Sequence, residues 1–251
     1  MPQRTPYQPH GTGIYRRELS VSRTEEGAIG ELVDDFHHFR ARVIVREDVV
    51  VGAVAESVRS PWSTCREAES LIERLAGMPL APSLRAAGRY TPMRSQCTHM
   101  FDAAALAIAR LGRGLGDVVY SIAIPDRREG RTRATLARDG EPLLDWTLDQ
   151  NRIDSPAPYA GRRIVGGGLA DWAEARLDAD LAEGALLLQR ACLISGGRRL
   201  DLESFARARD VPGGPVGSCH TYSDEPLRRA TRMVGSVRNL TDAKGPLAHE
   251  S

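Results

Sequence analysis

Apolar and polar residues alternate with a period of two in four consecutive stretches near the start of the chain, at 15–24, 27–35, 37–48 and 49–60. Polar breaks around Glu25-Glu26 and Glu47-Asp48 separate them. A period of two sends successive side chains to opposite faces, so the pattern predicts an antiparallel meander of four strands. Over 64–80 the spacing becomes helical, with Ala68, Leu71, Ile72 and Leu75 on one face and Gly77 and Pro79 ending the run. Thr64 followed three residues later by Glu67 is a capping-box pattern that sets Cys65 at the first helical position. A second helix is expected from the Cys97 region to about Leu111, stopped by Gly112, Gly114 and Gly116.

The order then repeats. Strands are predicted at 117–125, 131–140 and 141–149, the last two joined by a hairpin turn at Asp139-Gly140. A Pro-rich loop and helices from about Leu169, broken near Asp178, follow. The predicted class is α+β, an antiparallel strand meander followed by helices with that order recurring in the second half. The expected segments are a flexible arm at 1–13, a meander with two helices at 14–113, a second strand-helix half at 114–211 and an irregular tail at 212–251.

Charge narrows the partners. Lys plus Arg number 34 and Asp plus Glu 33, so there is no net field to attract nucleic acid or a membrane surface. No run of about 18 apolar residues is present and the first residues lack the apolar core of a secretory signal, which sets the expectation of a cytoplasmic protein. Four cysteines are too few for a disulfide framework and are expected as free thiols.

Candidate chemistry gathers in the first half. A cysteine in the first helical turn faces unpaired N–H groups and the positive end of the helix dipole, which favours the thiolate. Cys65 fits that description, and so do Cys97 and His99 at the start of the next helix; each thiol is otherwise a buried structural residue. On the strand stretch 33–45, strict alternation places Val33, Asp35, His37, Phe39, Ala41, Val43 and Val45 on the core side and His38 with Arg40 and Arg42 toward solvent or a partner. Asp35 would then orient His37 as a base, unless His37 is simply a satisfied core histidine. Arg59 or Arg89 could hold a substrate anion and Tyr90 could donate a proton. If a metal is present, zinc on Cys65, Cys97 and His99, with His37 or water as the fourth ligand, is the set with the right donor types.

The segments "DDFHHF", "RSPWSTCREAESLIERLAGMPL" and "QCTHMFDAAALAIA", with later blocks up to Leu240, resemble the longer members of the bacterial domain-of-unknown-function family 2889. The order of a meander, a cysteine at the next helix start and a second cysteine at the last helix start is also similar to iron-sulfur scaffold and sulfur-acceptor proteins. That second resemblance implies that Cys65 and Cys97 correspond to the scaffold's second and third cysteines, while its first has no counterpart in this chain.

The functional expectation is a cytoplasmic, cofactor-independent lyase that abstracts a proton and cleaves a C–C or carboxyl bond of a small aromatic or acyl substrate in a catabolic pathway. His37, Asp35, His99, Cys65 and Cys97 form its expected catalytic set. Its expected assembly is a homodimer, with no nucleic acid or membrane as partner. The alternatives are a non-catalytic metal or iron-sulfur carrier and a hydrolase with Cys97 as nucleophile and His99 as its base.

Overall fold

The computed structural model describes residues 10–166 and 168–247. The expected flexible arm therefore lies mostly outside the described residues, as do the last four residues of the tail. Four strands, β1 (Ile14–Thr24), β2 (Gly27–Asp34), β3 (His38–Arg46) and β4 (Val49–Arg59), form the first meander, and the second comprises β5 (Val118–Pro125), β6 (Arg131–Arg138), β7 (Glu141–Asp149) and β8 (Arg152–Ser155). All pairings are antiparallel, and β1 pairs with β5, so the two meanders fuse into one eight-stranded sheet of order β4-β3-β2-β1-β5-β6-β7-β8. The α+β class with its recurring strand-then-helix order is thus the observed one.

Turn chemistry sets the hairpins. Glu47 and Asp48 between β3 and β4, and Asp139 and Gly140 between β6 and β7, all have positive φ. Two successive left-handed residues form the tight turn whose twist matches that of the flanking strands. Strand β8, in the segment expected as loop, is short and follows β7 after only two residues.

Two long helices cover one face. Helix α1 is a single turn (Ala86–Tyr90), α2 spans Thr98–Gly112, α3 spans Gly168–Arg176, α4 spans Ala179–Ile194 and α5 is short (Asp224–Arg229). Helix α2 lies on β2 and β3, and α4 on β5, β6 and β7. Ion pairs tie the two helices together: Asp102 with Arg190, and Arg113 with the exposed Asp180 and the buried Glu183. Asp178 caps α4 by accepting from the Leu181 N–H at 2.8 Å, which explains the break between α3 and α4.

The approach of α2 to the sheet is unusually close because the residues between them are small. Ala103, Ala104, Ala105 and Ala107 are all buried, and a Cβ at Gly30 on β2 would sit 2.1 Å from the Ala103 carbonyl oxygen. Only glycine permits that contact. The segment after α4 is irregular yet packed. Val33 is buried with Leu240 and Leu247, so the C-terminal stretch covers the outer face of the sheet at the end where β2 passes into β3.

Replacing Gly30 by Ala is expected to destabilise the protein by about 1–3 kcal/mol through displacement of α2. Gly52→Ala, whose Cβ would meet only the Ile44 side chain at 3.7 Å, should change stability far less. Urea unfolding midpoints of the two variants check this, and equal effects would refute the close-packing account.

Candidate acid-base site

The chain leaves β2 at Asp34, turns through Asp35, Phe36 and His37, and enters β3 at His38. The Asp34 carboxylate organises that turn. One oxygen, Oδ1, accepts from the Phe36 N–H (2.8 Å), the His37 N–H (2.8 Å) and His37 Nδ1 (2.9 Å). The other, Oδ2, accepts from the Tyr15 hydroxyl (2.7 Å) and from Arg17 Nε (3.1 Å) and Nη2 (2.8 Å). Burial would raise the Asp34 pKa, but His37 and Arg17 outweigh it and hold the carboxyl well below its ordinary range. An ionised acceptor at Oδ1 means that Nδ1 of His37 carries the proton and Nε2 is left as the reactive nitrogen.

Helix α2 delivers the second imidazole. Its first residue is Thr98, so His99 sits in the opening turn, with its ring stacked on that of His37 at a centroid distance of 3.8 Å and an interplanar angle of 24°. Phe39 lies 5.6 Å from the His37 ring and 6.0 Å from the His99 ring, and Phe36 meets His37 edge-on. Both imidazoles keep partial exposure while Asp34 is fully buried. Burial and the neighbouring His37 and Arg17 push the His99 pKa well below its ordinary value, so this ring is neutral near pH 7.

Among the described residues, the group of potential ligands that comes together is Asp34, His37 and His99, with one ligand atom of each within 4.8 Å of the others. The expected set of Cys65, Cys97 and His99 is not assembled. Even the observed trio fits a metal poorly as it stands. Imidazole binds a metal in its own plane, and two nearly parallel stacked rings cannot both do so for one ion. Asp34 Oδ1 is moreover occupied by three N–H groups.

The orienting carboxylate corrects the sequence expectation. Strict alternation pairs His37 with Asp35, but the turn breaks the alternation, and Asp35 instead accepts from Arg198 Nη1 (2.5 Å) and the Arg16 N–H (3.2 Å). His38, expected toward solvent, is fully buried with Nε2 2.6 Å from Glu31 Oε1. It is the register partner of Val33, and the C-terminal segment that buries Val33 covers this face.

The thiolate expectation fails for both cysteines. Residues Ser63–Ala68 and Ser70–Leu75 form 3-10 turns, Trp62 rather than Thr64 stands at the cap position, and no side-chain cap bond forms. Thr64 Oγ1 donates to Thr221 Oγ1 at 3.1 Å, and Glu67 pairs with His220 and Arg229, so neither half of the box is available to the backbone. Burial pushes the Cys65 thiol up to about 11 and the Cys97 thiol well above its ordinary value. Desolvation of the charged form outweighs any benefit from the helix start.

The expected substrate-binding residues have other partners. Arg59 is a positioning residue: Nη2 donates to the carbonyls of Asp34 (2.7 Å) and His37 (3.1 Å), and Nη1 to that of Ser236 (2.7 Å), which clamps the histidine-bearing turn. Arg89 pairs with Glu174 on α3, and the Tyr90 hydroxyl donates to the Ala76 carbonyl. Sequence reasoning passed over Asp34, Arg17 and Tyr15. A signal for them exists on β1, where Tyr15, Arg17, Leu19 and Val21 alternate as the buried face. A charged residue in that apolar row requires a buried counter-charge.

Two outcomes are expected. A histidine whose folded pKa is depressed stabilises the fold above its unfolded value of about 6.5 and loses that contribution as pH falls toward the folded value. The drop in urea midpoint between about pH 7 and pH 5 should therefore be smaller in His99→Gln than in the parent chain, and equal drops would contradict a depressed His99. Iodoacetamide at neutral pH should label Cys65 and Cys97 more slowly than a model thiol, as followed by mass spectrometry; faster labelling would contradict buried, protonated thiols.

No helix of the described residues is long and apolar enough to cross a membrane. A comparison with curated proteins finds no match. Residues 20–110, which contain β2 to β4 and nearly all of α2 and therefore Asp34, His37 and His99, match the sequence model of a family described as protein of unknown function (DUF2889).

Proposed function

We propose that the protein is a cytoplasmic, cofactor-independent enzyme of the lyase type, with His37 as general base, Asp34 as the carboxylate that orients it and His99 as a neutral hydrogen-bonding partner. The observation that carries this reading is the Asp34–His37 hydrogen bond of 2.9 Å, which leaves Nε2 free beside a stacked, neutral second imidazole. A carboxylate-held imidazole takes a proton and then stabilises the imidazolium that forms. In the proposed reaction, Nε2 removes a proton from a hydroxyl of the substrate. The O–H electron pair becomes a C=O bond as the adjacent C–C bond breaks, and the proton returns from His37 to the carbon that received the bonding pair. The rings of Phe36 and Phe39 against His37 give the site an apolar surround that suits an aromatic substrate, as expected for a catabolic enzyme. Exposed Val51 and Val54 on the edge strand β4 are compatible with a homodimer.

A second reading is metal binding, for which the Asp34, His37 and His99 ligand atoms are close enough but the stacked rings would have to turn to share one ion. Metal analysis after incubation with zinc separates the two: one equivalent retained by the parent chain and lost in both His37→Ala and His99→Ala supports it. The acid-base reading is tested by screening small aromatic hydroxy compounds and acids for cleavage by mass spectrometry. Once a substrate is found, His37→Ala is expected to lose about 10²–10⁴ in turnover. Cys97→Ala should retain turnover, since a protonated, buried thiol supplies no nucleophile. Turnover retained by His37→Ala, or lost with Cys97 alone, would overturn the assignment.

A further inference from the structure

Trp62 forms the base of a second, smaller apolar cluster with Cys65, Ala208, Val211 and Ala230, against which Phe205 and Tyr222 also pack. Arg232 lies across its indole, with the guanidinium carbon 3.6 Å from the ring centroid, and the two residues face each other in an antiparallel bridge. Only 9% of Arg232 is exposed. Nη1 donates to the Pro61 carbonyl at 3.3 Å, but Nε and Nη2 have no hydrogen-bond partner. Among the described residues, Arg232 alone leaves two buried polar atoms unsatisfied.

Those two nitrogens share one edge of the guanidinium, with their N–H groups nearly parallel. A buried donor without an acceptor is destabilising, more so on a charged group, and folded proteins leave very few. The carboxylate of Glu203 is near enough to act on the charge of Arg232, yet its oxygens accept from the Gly235 N–H (3.0 Å) and the Val237 N–H (3.1 Å). The fork is therefore preformed, held flat by the indole and without an acceptor of its own.

We propose that the Nε–Nη2 edge of Arg232, backed by Trp62, binds the carboxylate of a small organic acid. Two parallel N–H groups match the two oxygens of a planar carboxylate. A carboxylate adds one negative charge beside Glu203, whose oxygens are taken up by backbone N–H groups, whereas a phosphate dianion would add two there among apolar side chains. Trp62, Phe205, Tyr222 and Val211 supply apolar contact for the body of the acid. This site shares no residue with the Asp34, His37 and His99 cluster and does not depend on the reaction proposed there.

Titration of the full chain with benzoate, acetate and inorganic phosphate, followed by calorimetry, tests the proposal. Benzoate is expected to bind saturably with a Kd of about 1 mM or tighter, acetate more weakly and phosphate most weakly. Arg232→Gln and Arg232→Lys should each weaken benzoate about ten-fold or more, because lysine keeps the charge but not the fork. Should Arg232→Gln fail to fold, the lysine variant carries the same comparison. Benzoate should also change the tryptophan fluorescence of the parent chain and change it less in Trp62→Phe, while His37→Ala binds benzoate unchanged. No saturable carboxylate binding, equal affinity in the folded Arg232 variants, or phosphate binding tighter than benzoate would overturn the proposal.

Discussion

A single buried carboxylate, that of Asp34, holds together the elements on which the rest of this half of the molecule rests. Its oxygens join β1, through Tyr15 and Arg17, to the backbone of the turn between β2 and β3 and to the ring of His37. A charge placed so deep would be costly if unpaired, and here it is compensated by Arg17 and saturated by hydrogen bonds. Arg59 clamps the same turn from the carbonyl side, so the direction of His37 is determined by both the donors and the acceptors of the backbone around it.

The second constraint is the distance between α2 and the sheet. Gly30 and a run of alanines let the helix backbone approach β2, and its first turn consequently carries His99 onto the ring of His37. The same close packing excludes water from Cys97 at the cap position. One feature thus has opposite effects on neighbouring groups: it leaves a neutral imidazole fit for proton chemistry and makes a nearby thiol inert. A helix dipole is a modest effect at an exposed terminus, and desolvation exceeds it in an interior.

The two halves repeat an order of elements without repeating a site. Both meanders lead into a helix that covers its own strands, and β1 with β5 continues one into the other. In the second half, however, the helix and sheet polar groups serve packing: Glu183 accepts from Tyr120 at 2.5 Å and from Arg113. The stacked imidazoles belong to the first half alone, within the segment that matches DUF2889.

Local pattern alone determined a good deal of this protein. Alternation over 15–60 specified four strands, the paired turn residues specified where they reverse, and the helical pattern from the Cys97 region to about Leu111 located α2, whereas the helical spacing over 64–80 is realised as two 3-10 turns. His37 and His99, whose rings the structure stacks, were legible as candidates because an imidazole beside an acidic residue, and another at a helix start, are local features. Only the tertiary structure decided which carboxylate serves His37, because the turn of Asp35, Phe36 and His37 breaks the alternation on which the choice of Asp35 rested. It also decided that Cys65 and Cys97 are protonated, that His38 is covered and that Arg59 holds backbone, since burial depends on segments as distant as Ser236 and Leu240. Periodicity reports the face a side chain occupies; the charge state of a group depends on everything packed against that face, and sequence spacing does not encode it.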